Sequence, residues 1–213
     1  LKSDPFTVTP DGFAILEFRP NNVLVSETTV PAAHASLFDD LYVEVDGAVN
    51  TGVVIANPNP LPATISFAIR NSGPGSPVLV NGNFTIPPNS QVARFINEPP
   101  FNSPVPHVGF LSIISSVPVA ATALRGFRNE RSEFIMTTLL QGRPAQGVFT
   151  NVRAMQRTVV GYIPVFADGG GWTTQVVMAN PTHADFAGGE AEFIDPNGGV
   201  TSTSEIPTEA GGN

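Results

Sequence analysis

Cysteine is absent from all 213 residues. That excludes disulfide staples, thiolate metal sites and thiol nucleophiles together. Basic charge is scarce as well. Lys2 is the only lysine, and the nine arginines are spread along the chain. With a net charge of −8, the chain has no basic face for phosphate and so no basis for binding nucleic acid. No apolar run reaches the roughly 18 residues that a membrane span requires. Charged residues make up only 13%, which is low for a cytosolic helical protein, and hydrophobic residues reach 41%, which is too many for a disordered one. No GxSxG elbow, HExxH pair, phosphate loop or EF-hand spacing occurs, so no enzymatic activity and no cofactor or metal is expected. His34, His107 and His183 stand in separate contexts, none spaced as zinc ligands.

What the chain does have is turns. Twenty glycines and 21 prolines interrupt nearly every window that could hold three helical turns. Between them lie short runs rich in β-branched and aromatic residues. "FAILEF" (Phe13–Phe18), "VLVSETTV" (Val23–Val30), "LYVEV" (Leu41–Val45), "TGVVIAN" (Thr51–Asn57), "ATISFAI" (Ala63–Ile69) and "QVARFI" (Gln91–Ile96) are examples. "GFLSIIS" (Gly109–Ser115), "AATALRGF" (Ala121–Phe127), "EFIMTTLL" (Glu133–Leu140) and "TTQVVMAN" (Thr173–Asn180) are others. Alternation puts Ile65, Phe67 and Ile69 on one face of their strand. Many such strands, half wet and half buried, predict an all-β fold of antiparallel sandwich type. Ile55, Ile65, Phe67, Phe95, Ile113, Leu124 and Phe134 are the expected core, joined by Val177 and Phe193 near the C-terminus.

The chain also repeats itself. "VVIANP" from Val53 returns as "VVMANP" from Val176, an offset of 123 residues, and Phe67 then falls near Phe193. A second pair lies 109 residues apart: Phe18 on Phe127, Arg19 on Arg128, Thr28 on Thr137, Thr29 on Thr138, with Ala14 on Ala123. Such periods match the size of an Ig-like sandwich. The expected layout follows. Residues 1–35 hold the back half of a unit, 36–143 a complete unit, 144–157 a polar linker, and 158–213 a front half. Two antiparallel Ig-like β-sandwich units result, one complete and one split between the N- and C-terminal segments. A half-unit exposes an apolar face and open strand edges, which favour pairing. Phe13, Ile15, Leu16, Phe18, Val23 and Val25 are therefore the candidate assembly-strand residues.

The stretches "LYVEVDGAVNTGVVIANPNPLPATISF", "IPPNSQVARFINE", "ALRGFRNERSEFIMTTL" and "VFADGGGWTTQVVMANPT" resemble a repeat unit of large secreted bacterial surface proteins, which string together Ig-like or fibronectin-like modules. The resemblance implies secretion and sandwich repeats and transfers no catalytic residue. Together with the acidic, Lys-poor composition, it leads to an expected location outside the cell or at its surface. The expected function is structural or adhesive and non-catalytic; the two half-units pair either within one chain, as a circularly permuted second sandwich, or between chains, as self-assembly head to tail into a filament by strand complementation, and the second is favoured. The expected partners are copies of the chain itself or neighbouring sandwich repeats. The alternative is a carbohydrate-binding module. Its candidate ligand loop is "FADGGGW", where Asp168 and the single tryptophan, Trp172, flank three glycines. In the structural reading of that loop the glycines supply a turn and Trp172 anchors the next strand in the core.

Overall fold

The computed structural model describes residues 12–72, 76–139, 170–177, 189–194 and 199–206. The 144–157 linker lies outside them. The described residues are almost all β, with antiparallel ladders and no α-helix, in a sandwich-like arrangement. Eleven strands follow in order: β1 (Phe13–Phe18), β2 (Ser26–Pro31), β3 (Ser36–Asp46), β4 (Val49–Asn57), β5 (Ala63–Asn71), β6 (Val78–Ile86), β7 (Ser90–Phe95), β8 (His107–Arg128), β9 (Phe134–Leu139), β10 (Gly189–Ile194) and β11 (Val200–Ile206).

Strand β8 organises the middle of the chain. The sequence pattern predicts two strands broken near Val117-Pro118, whereas the structure has one of 22 residues. Its first part pairs with β3 and β5, and its second with β4 and β9. Residues 116–118 have no ladder partner in any of these registers. Proline is tolerated there because no ladder bond needs its missing N–H. Val45 lies opposite His107 while Val49, just across the β3–β4 turn, lies opposite Phe127. Both ends of β8 thus meet at that turn, and the strand doubles back near Pro118. One layer is β6-β5-β8-β3 and the other β7-β4-β8-β9.

Alternation fills the space between the layers. Leu41 and Val43 from β3, Ile65, Phe67 and Ile69 from β5, and Leu111 and Ile113 from β8 face Val53, Ile55, Ala121 and Ala123. Each large side chain removed from water contributes about 1.5–3 kcal/mol. Phe101 meets Phe67 and Phe84 edge to face at 5.3 and 5.8 Å, and Phe67 and Phe84 pack tilted at 6.2 Å. Gly109 is required by close approach, since a Cβ there would stand 1.9 Å from the Arg70 carbonyl oxygen. The repeated Asn-Pro turn has a structural task. Asn57 is buried, and its Nδ2 donates to the carbonyls of Leu61, Ile86 and Pro87. Its Oδ1 accepts from the Asn59 backbone N–H. One side chain therefore ties the β4–β5 loop to the end of β6.

Some expected core residues lie elsewhere. Phe95 is 37% exposed. Its neighbour Val92 packs on the core instead, so "QVARF" alternates as read but with the opposite face inward. Leu124 and Phe134 are only half-buried, and Val177 is exposed. Phe193 is half-buried on β10.

Candidate functional site

The β1–β2 hairpin is built from apolar residues yet stays wet. All six residues of β1 are exposed, with Phe13 at 68%. The turn is made by Pro20–Asn22, with Asn21 and Asn22 at positive φ, where asparagine is among the residues best tolerated. The Val25 N–H donates to the Phe18 carbonyl and closes it. Val23 and Val25 consequently lie in the connection and not in a strand, which begins only at Ser26. This corrects the strand expected from Val23, because the two asparagines use the residues that precede Val23 for the turn. Arg19 Nε donates to Glu17 Oε2 at 2.6 Å and, by that hydrogen bond, lowers the Glu17 carboxyl below its usual range. Both groups are exposed, so the pair contributes little to stability.

The hairpin is seated on β9 through hydroxyls. The N–H groups of Met136 and Thr138 donate to Ser26 Oγ and Thr28 Oγ1 at 2.8 and 3.2 Å, and Thr138 Oγ1 donates to the Thr29 carbonyl at 2.6 Å. The matched spacing makes β2 run parallel to β9, with side-chain oxygens replacing ladder carbonyls. Phe18 meets Phe134 edge to face at 5.7 Å. Beside this contact an open groove of about 550 Å³ is lined by Phe18, Pro20, Val25, Phe95 and Phe134 among others. With β2 against β9, the far edge of β1 has no strand partner among the described residues. Of these contacts, the hydroxyls of Ser26, Thr28 and Thr138 were not singled out by sequence. Their signal was the Thr-Thr identity at the 109-residue offset.

That offset governs the ladder too. In the N-terminal hairpin Ala14 pairs with Val30, Ile15 with Thr29, Leu16 with Thr28 and Phe18 with Ser26. In the β8–β9 hairpin Ala123 pairs with Leu139, Leu124 with Thr138, Arg125 with Thr137 and Phe127 with Ile135. Each of these pairs in the first maps onto a pair in the second at the same shift of 109. The β5–β6 and β10–β11 hairpins are both antiparallel but share no single offset, since Phe67 to Phe193 is 126 residues and Ile86 to Ile206 is 120. Ala63, Ile65 and Phe67 lie opposite Ile86, Phe84 and Gly82. Gly189, Ala191 and Phe193 lie opposite Ile206, Ser204 and Ser202, again with a register shift towards the end of the first strand.

Trp172 follows Gly170 and Gly171, both at positive φ, and is 71% exposed. It therefore does not anchor a strand in the described core. Asp168 lies outside the described residues. Residues 173–177 carry no strand.

Titratable chemistry is concentrated inside the sandwich, away from the hairpin. Burial, then the charge of Asp40, pushes the Asp39 carboxyl up to about 7. Burial lowers the His107 imidazole, whose ring nitrogens have no hydrogen-bond partner among the described atoms. Arg125 reaches Glu44 at 2.8 Å across the β3–β4 corner. Among the described residues no group of three His, Asp or Glu side chains converges as metal ligands, and no helix is long and apolar enough to cross a membrane.

No family model matches the chain and no curated protein matches it. Two solved structures are similar over part of it. The Anabaena sensory rhodopsin transducer is 14% identical with a TM-score of 0.37, over 43% of this chain and 98% of its own. The structure titled Thermotoga maritima 1070 is 16% identical with a TM-score of 0.39, over 52% of this chain and 92% of its own.

Proposed function

We propose that this chain is a non-catalytic structural or adhesive protein of the extracellular space or cell surface, assembling head to tail by strand complementation. One observation carries the reading: a hairpin outside the central sandwich reproduces, at a single 109-residue offset, the ladder register of a hairpin inside it. The β1–β2 hairpin copies a back-half element, and the sequence from Val176 repeats the front-half sequence from Val53. The two kinds are complementary, and the partners are copies of the chain or neighbouring sandwich repeats. The exposed apolar β1 supports the reading, since such an edge is a ready template for another strand. A head-to-tail contact of this kind makes rings or open filaments. Light scattering on the intact protein and on a deletion of residues 1–30 is the test. Large assemblies from the intact protein and none of that kind from the deletion are expected. An intact protein that remains monomeric at high concentration would sink the reading.

The second reading is a carbohydrate-binding module, favoured by the exposure of Trp172 beside a glycine turn. Binding on a glycan array that is lost in Trp172→Ala would select it over assembly.

A further inference from the structure

Within the sandwich the β8–β9 hairpin does not stand alone. The second part of β8 has β9 on one side and β4 on the other. The pairs with β4 run from Val49 opposite Phe127, through Thr51 opposite Arg125 and Val53 opposite Ala123, to Val54 opposite Thr122. In the N-terminal hairpin β1 occupies the place of β8 and β2 the place of β9, but the place of β4 is unfilled among the described residues. The counterpart of β4 elsewhere in the chain is set by the 123-residue offset. Val53 maps to Val176, Val54 to Val177 and Thr51 to Thr174, all identities.

Combining the two offsets yields a register. We infer that β1 takes residues 172–177 of a second copy as an antiparallel neighbour, with Phe18 opposite Trp172, Leu16 opposite Thr174, Ala14 opposite Val176 and Phe13 opposite Val177. The inference rests on the assembly reading above and fixes its contact. It reproduces the inward-facing Ala–Val pair that Ala123 and Val53 make at 0% and 1% exposure. It also covers Phe13 and Ile15, and sets the exposed Trp172 beside Phe18. A second copy, and not the same chain, is the occupant for a reason of position. Among the described residues of one chain β1 pairs only with β2, and the chain's own residues 173–177 belong to no strand, so its own segment does not fill that place.

The absence of cysteine makes the test clean. Two pairs of single-cysteine proteins are mixed and oxidised: Glu17→Cys with Thr173→Cys, and Leu16→Cys with Thr174→Cys. Opposed positions on paired strands fall within disulfide reach, while positions four residues out of register do not. Each mixture is expected to yield a heterodimer that neither protein gives alone, and that Glu17→Cys mixed with Val177→Cys does not give. Circular dichroism confirms that each variant retains its β signal. Because one pair tests each of two adjacent positions, loss of a single variant to misfolding leaves the other to decide. Assemblies in light scattering without these cross-links would overturn the register and leave the assembly reading standing. An intact protein that stays monomeric would overturn both. A Glu17→Cys/Thr173→Cys double variant that closes only within its own chain would overturn the choice of a second copy.

Discussion

The two hairpins related by the 109-residue offset have the same ladder and opposite surroundings. Ala123 is fully buried between layers, while its counterpart Ala14 is exposed. The difference teaches that register is a local property, set by the turn and the chain on either side of it, whereas burial is supplied by a neighbour. The β8–β9 hairpin is flanked by β4 and faces the layer that holds β3 and β5. The β1–β2 hairpin has the hydroxyl seam to β9 and one edge-to-face contact, Phe18 on Phe134. Hydrogen bonds of that kind are worth about 1 kcal/mol each, far less than a buried face.

The sharpest way to break the comparison is to place one charge at both positions. Ala123→Glu forces an unpaired carboxylate between the layers and is expected to unfold the central sandwich, because such burial costs several kcal/mol. Ala14→Glu should leave the melting temperature of the isolated protein unchanged and abolish large assemblies in light scattering. If Ala123→Glu melts like the parent, the layers are not packed as described.

A smaller effect is expected at Asn57. Asn57→Ala leaves three carbonyls without their donor, a loss of about 1–3 kcal/mol read by urea denaturation. The β1–β2 hairpin makes no contact with this residue, so assembly should survive the change under native conditions.

The last effect is the pH dependence, carried mainly by two buried groups of the sandwich, Asp39 and His107. Asp39 has a folded pKa near 7, above its ordinary value of 3.8, so the folded state holds that proton more tightly than the unfolded chain. Its contribution to stability is full below about pH 4 and is lost as pH rises towards 7. His107 works in the opposite sense, since its lowered pKa costs stability as pH falls below 6.5. Asp39→Asn should therefore remove the decline in denaturation midpoint between pH 4 and 7 and leave only the histidine's acid-side loss. An unchanged profile would show that Asp39 titrates in an ordinary environment.

Strand identity was legible because alternation and turn residues are local signals. "ATISFAI" buries Ile65, Phe67 and Ile69 as its pattern requires. Which face turns inward was not always legible. In "QVARF" both Val92 and Phe95 are apolar on opposite faces, and only the partner strand decides between them. The start of β2 was misplaced because Val23 and Val25 have strand-like chemistry, yet the Asn21–Asn22 turn leaves them in the connection. The break expected at Pro118 did not occur because ladder demand, which is a property of the neighbours, vanishes there. At the candidate site the apolar residues of β1 could be named from sequence, but the hydroxyl seam on β9 could not. Ser26 and Thr28 resemble any solvent-facing strand residues until β9 is beside them.

The doubling back of β8 has a consequence for cooperativity. One strand supplies the ladder for β3, β4, β5 and β9, so neither layer can exist while the other is undone. Opening the sandwich anywhere along this strand removes partners from both faces at once, which makes the central unit a single cooperative block. The N-terminal hairpin shares none of that ladder, so it can lift from β9 at a cost far below global unfolding. In the assembly proposed above, a rigid block joined to a releasable clasp would exchange neighbours without passing through the unfolded state.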